Sequence, residues 1–130
     1  MLLIDKPFAS DFLIKTIKEN NFPIIITEVS KSMISDESLN WISEKEAIER
    51  YKKEADLLLY SNSENAISWI EKNLSFSKLP SQIQLFKNKI LFRELLKDAF
   101  PNYFFKGVKL SELLKLDITT LKFPLILKPA

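Results

Sequence analysis

An α/β fold, with a parallel sheet covered by helices on both faces, is what the first 80 residues predict. Short apolar runs recur at residues 1–4, 24–27 and 57–60, and each is followed by a segment with apolar residues at helical spacing. The runs are continuously apolar rather than alternating. Strands of that kind belong to sheets buried on both sides, because neither row of side chains faces water. The order β-α-β-α-β-α then reads as a Rossmann-like, doubly wound half.

Met1–Ile4 forms the first strand, ended by Asp5-Lys6-Pro7. Ser10 caps a helix to about Asn20, with Phe12, Leu13 and Ile17 on its buried side and Lys15, Lys18 and Glu19 outside. Asn20-Asn21 suits a left-handed stop, and Phe22-Pro23 leads into the β-branched run Ile24-Ile25-Ile26-Thr27, the second strand. Residues 28–42 are Ser-rich and without period, so they read as a loop. Its apolar members Met33, Ile34, Leu39 and Trp41 are expected to fold back on the domain; a contact with another domain or subunit is the sharper alternative. Ser43-x-x-Glu46 has capping-box spacing before Ala47, Ile48, Tyr51 and Ala55. Leu57-Leu58-Leu59-Tyr60 is the third strand, and Ser61-x-x-Glu64 repeats the capping spacing before Ala66, Ile67, Ile70 and Leu74.

After Pro80 a single helix is expected, opened by Ile83 and Phe86 and continued by a stripe of Leu91, Phe92, Leu95, Leu96 and Ala99 to Phe100, where Pro101 stops it. Tyr103–Lys106 reads as a short strand, Ser111–Leu116 as a short helix and Leu125–Lys128 as a last strand. The expected division is residues 1–80 and residues 81–130.

Composition removes several functions. Lys+Arg 19 against Asp+Glu 17 leaves a net charge of +2, which argues for neither a nucleic-acid nor a membrane partner. The chain has no Cys and no His, so disulfides, thiolate metal sites and imidazole bases are excluded. The N-terminal MLLIDKPF lacks a basic start and a small-residue cleavage site, and no apolar run approaches the roughly 20 residues that cross a bilayer. A cytoplasmic protein is the expectation. Glycine is the most informative count. The single Gly107 cannot build a GxGxxG turn or a P-loop, where backbone N–H groups must approach an anion closely. The chain is therefore expected to be a binding domain or a portion of a larger enzyme.

The sharpest local signal is Phe123-Pro124-Leu125-Ile126-Leu127-Lys128-Pro129-Ala130. A lysine closing an apolar strand between prolines sits at a sheet end with its ammonium aimed outward, where it suits a phosphate oxygen; a lysine that merely reaches solvent is the plainer alternative. The pattern resembles the ATP-grasp family motif, in which such a lysine contacts ATP phosphates. The family places a second lysine upstream at the start of a helix, and Lys87-Asn88-Lys89-Ile90-Leu91-Phe92-Arg93-Glu94-Leu95-Leu96 looks like that helix. Lys89 is the natural counterpart and Lys87 the alternative, since family members often carry an acidic residue where Asn88 stands. Arg93 and Lys97 continue the i, i+4 spacing from Lys89 and are expected to face solvent. Residues 61–74, a Ser/Glu/Asn-rich turn opening a helix, are similar to ATP-grasp proteins related to carbamoyl-phosphate synthase. The resemblance covers residues 61–130; residues 1–60 match only in fold.

The resemblance implies a pre-ATP-grasp α/β domain over residues 1–80, then a linker helix and an incomplete start of an ATP-grasp subdomain over residues 81–130. It implies a ligase that activates a carboxylate as an acyl phosphate for attack by an amine or thiol, with ATP and Mg²⁺ as cofactors and Lys89 and Lys128 as nucleotide-binding residues. The family's glycine-rich flap and its acidic and Asn magnesium ligands have no counterpart in these 130 residues. The chain is therefore expected to be a truncated part that contributes to ATP binding without catalysing alone, with no catalytic residue or metal ligand of its own. Its Leu125–Lys128 strand, left with an open edge, is expected to pair with a second copy as a homodimer or to stay poorly ordered. The alternatives are a receiver-like regulatory domain and an α/β interaction module without nucleotide. A receiver needs an aspartate ending the third strand, where Ser61 stands, and an acidic pair after the first, where Asp5 is alone. Trp41 and Trp69, with no basic groove around them, are expected to serve in packing rather than base stacking.

Overall fold

Four short parallel strands organise residues 1–80. The structure is a computed structural model that describes residues 1–54, 56–121 and 123–128. Ala55, Pro129 and Ala130, named in the sequence reading, lie outside the described residues. The chain divides into two compact units, Met1–Pro80 and Ser81–Ala130.

In the first unit the elements are β1 (Leu2–Leu3), α1 (Asp11–Glu19), β2 (Ile24–Ile25), α2 (Glu28–Met33), β3 (Trp41–Ile42), α3 (Glu44–Lys53), β4 (Tyr60–Ser61), a 3₁₀ turn at Glu64–Ala66 and α4 (Ile67–Asn73). The sheet order is β3-β2-β1-β4, all parallel, with Leu2 opposite both Ile24 and Tyr60. The chain therefore builds outward from β1 to β3 and then returns to the far side of β1. This order matches the first four strands of a Rossmann sheet and differs from the 2-1-3-4-5 order of receiver and flavodoxin folds.

Burial explains the continuously apolar strands. Leu2 and Leu3 point to opposite faces, and so do Ile24 and Ile25, yet all four are buried. Leu2, Ile4 and Ile24 join Ile17 of α1, Ile34 and Leu39 in one core cluster, against which Leu13, Met33 and Trp41 pack. Each such aliphatic side chain contributes about 1.5–3 kcal/mol by leaving water.

The helix signals are local and largely work as chemistry dictates. The Ser10 hydroxyl accepts from the Leu13 N–H at 3.2 Å and starts α1. Asn21 takes φ 50° and stops the chain before Phe22. Ser43 caps α3 by accepting from the Glu46 N–H at 3.1 Å, but the reciprocal half of the expected box is absent. The Glu46 carboxylate pairs instead with Arg50 at 2.6 Å, one turn on.

Phe12, expected on the buried side of α1, is instead 80% exposed, since the core contact of that helix is made by Leu13, Ile14 and Ile17. Other expectations fail in this unit as well. Residues 28–42 are not a loop throughout: they hold α2, and β3 begins at Trp41. The helix starts with a true capping box, in which Thr27 Oγ1 accepts from the Ser30 N–H at 3.0 Å and Ser30 Oγ accepts from the Thr27 N–H at 2.8 Å. Ser30 is fully buried and its hydroxyl also donates to the Ile25 carbonyl at 3.0 Å. The fourth strand is Tyr60–Ser61 rather than residues 57–60, because pairing with β1 decides the register and Leu58 stays exposed. The cap of the following turn is Ser63, which accepts from the Asn65 N–H at 3.1 Å, while Ser61 belongs to β4. Met33, Ile34, Leu39 and Trp41 do fold back onto the domain.

The helix α5 (Leu79–Lys87) leads into the second unit, which contains α6 (Lys89–Leu95) and 3₁₀ segments at Leu110–Lys115 and Ile118–Thr120. The expected single helix to Phe100 is divided at Asn88, whose side chain accepts from the Ile90 and Leu91 N–H groups at 3.0 and 3.1 Å. An asparagine that can cap a new helix competes with the helix running through it. Tyr103–Lys106 and Leu125–Lys128 are not strands among the described residues. Neither segment has a strand neighbour to supply a ladder, and Ile126 and Leu127 stay exposed. No helix among the described residues is long and apolar enough to cross a membrane.

Candidate functional site

In a doubly wound sheet ligands sit beyond the carboxyl ends of the strands, where the strand order reverses. Here that point lies between β1 and β4, and the protein closes it with its own side chains. Asn62, directly after β4, accepts from the Asp5 N–H at 2.8 Å and donates to the Asp5 and Phe8 carbonyls at 2.8 and 2.9 Å. Asn65 donates to the Lys6 carbonyl at 3.1 Å. The Ser/Glu/Asn-rich turn at residues 61–65 is thus a tie between two loops, and no glycine opens the crevice for a phosphate.

Both tryptophans are partly buried, with their indole N–H groups satisfied. Trp41 donates to the Asp36 carbonyl at 3.0 Å and carries Lys31 Nζ over its ring at 4.0 Å; Trp69 donates to Glu44 at 2.8 Å. They serve the packing of the first unit.

The second unit holds a broad, open concavity of about 1140 Å³. Lys89, the first residue of α6, and Lys128, near the other end of the unit, both line it. Two more cations, Arg93 and Lys106, also line it, and no carboxylate is among the described lining residues. The rest is mostly apolar and includes Ile90, Phe104, Val108, Leu113 and Leu125. Gly107 also lines it, with Ile90 so close that an added Cβ would meet Ile90 Cδ1 at 2.9 Å. Lys87, the alternative to Lys89, is not among the lining residues.

Two features of this concavity escaped the sequence. Arg93 is half-buried, not simply solvated, and its guanidinium lies over the Tyr103 ring at 4.5 Å. The i, i+4 spacing from Lys89 was visible, but which way that face turns depends on where residues 103–128 fold. Lys106, in contrast, has an electrostatic neighbour, because its charge helps hold the Asp117 carboxyl below its ordinary range behind two hydrogen bonds from Thr119. Helix α6 itself offers an anion little, since Asn88 already occupies its leading N–H groups.

Four cations with no carboxylate among the described lining residues give the concavity a positive potential suited to an anion. The residues do not fit a magnesium ion: among those described, no group of three or more His, Cys, Asp or Glu side chains could hold a metal. No family model, curated protein or solved structure matches this chain.

Proposed function

We propose that this chain is the N-terminal part of an ATP-grasp carboxylate–amine or carboxylate–thiol ligase and contributes to ATP binding. The observation that carries the reading is that Lys89 and Lys128, distant in sequence, line one concavity with no carboxylate among its described lining residues. Their ammonium groups would bear on the phosphates and offset their charge. ATP supplies the phosphoryl group that activates the carboxylate. Magnesium ligands would have to come from outside the described residues.

The receiver-like alternative is disfavoured by the strand order β3-β2-β1-β4 and by Ser61 at the end of β4. In the full-length gene product, Lys89→Ala and Lys128→Ala should each weaken ATP binding by about 1.5–3 kcal/mol, the scale of a charged hydrogen bond. Unchanged affinity in both variants would refute the reading. A gene that encodes no glycine-rich flap and no Asp, Glu or Asn magnesium ligands would refute it equally.

A further inference from the structure

We infer that Arg93, held by Tyr103, is a further anion-binding residue of the concavity and takes a phosphate oxygen of a polyphosphate bound by Lys89 and Lys128. The inference rests on the nucleotide reading of that concavity and adds a residue to it. Arg93 follows Lys89 by one helical turn, so both side chains leave α6 on the same face. The Arg93 guanidinium carbon lies over the Tyr103 ring, 4.5 Å from its centroid. Among the described residues no ion pair engages its planar fork of N–H donors, which suits a bidentate grip on phosphate. The ring also limits the side chain's rotamers in advance, so less freedom is lost when an anion arrives.

The charge arrangement points the same way. The chain's other arginine, Arg50, is paired with Glu46 at 2.6 Å. Among the described residues Arg93 has no carboxylate partner, and neither have Lys89 and Lys128, which line the same concavity. Like charges gathered without a counter-charge repel one another, and a bound polyanion relieves that repulsion. Lys106 is the weaker candidate because Asp117 already answers it.

The chain contains two arginines, Arg50 and Arg93, which gives the test an internal control. Inorganic tripolyphosphate is titrated into the chain at low salt while the arginine Nε–H resonances are followed by NMR, because exposed contacts are screened at high salt. The Arg93 resonance should move and saturate, while that of Arg50, engaged by Glu46, stays. Arg93→Gln should lower the affinity roughly tenfold, on the scale of one charged hydrogen bond. Tyr103→Leu should lower it too, and Tyr103→Phe, which keeps the ring face, should retain it. A static Arg93 resonance, or equal movement of both arginines, overturns the inference. If Arg93→Gln binds normally while Lys89→Ala and Lys128→Ala lose affinity, Arg93 is dismissed and the site survives. If none of the three changes affinity, the site fails as well.

Discussion

Replacing Asn62 by Ala removes three hydrogen bonds that join the end of β4 to the loop after β1. Two of them, both at 2.8 Å, serve the N–H and C=O of Asp5 and are partly buried; the third, to the Phe8 carbonyl at 2.9 Å, is exposed. The Phe8 carbonyl recovers a water at little cost. Each Asp5 group loses a bond worth about 1 kcal/mol, and more if water reaches it poorly, so the total is about 2–3 kcal/mol. Urea unfolding followed by tryptophan fluorescence suits the measurement, because Trp41 and Trp69 both lie in Met1–Pro80 and report that unit alone. With a denaturant slope of about 1 kcal/mol/M for a unit of this size, the midpoint should fall by roughly 2 M or more. Asn62→Asp should cost at least as much, since it sets a second oxygen against two carbonyls. A loss below about 0.5 kcal/mol in Asn62→Ala would show that the two loops hold their places without this side chain.

Ser30→Ala should destabilise the same unit by about 1–3 kcal/mol, because it strands the Thr27 N–H and the Ile25 carbonyl in a buried setting; the same fluorescence melt checks it. Asp36 should titrate at about 2 in the folded protein, lowered from 3.8 first by the hydrogen bond from Lys18 and then by those from Ser38. A folded pKa below the unfolded one means the contribution is present above about pH 4 and fades as pH falls toward 2. In Lys18→Ala, the Asp36 midpoint measured by NMR should rise toward the ordinary carboxylate value, and an unmoved midpoint would remove Lys18 as the leading cause.

Features that depend on neighbouring residues were legible before any tertiary contact was known. The Ser10 and Ser43 caps and the left-handed stop at Asn21 follow from short side chains that satisfy or relax the adjacent backbone. The α2 capping box was missed because its second member is a serine, Ser30, rather than the Glu or Gln that marks such boxes in sequence. Trp41–Ile42 was missed because a two-residue strand has no period to detect. The apolar run at residues 57–60 was recognised, yet its strand lies at Tyr60–Ser61 because the partner across the ladder selects the register.

For the site, the sequence alone singled out Lys89 and Lys128 as residues of interest and excluded glycine-loop phosphate binding, since residue identity and neighbours suffice for both. Tertiary structure decided that the two lysines share one concavity with Arg93 and Tyr103, and that Asn62 fills the crevice beside β1. Those outcomes join residues distant along the chain, and a local pattern holds no information about which distant groups meet. It also decided that Leu125–Lys128 is not a strand, for a strand exists only with a partner, however apolar its residues.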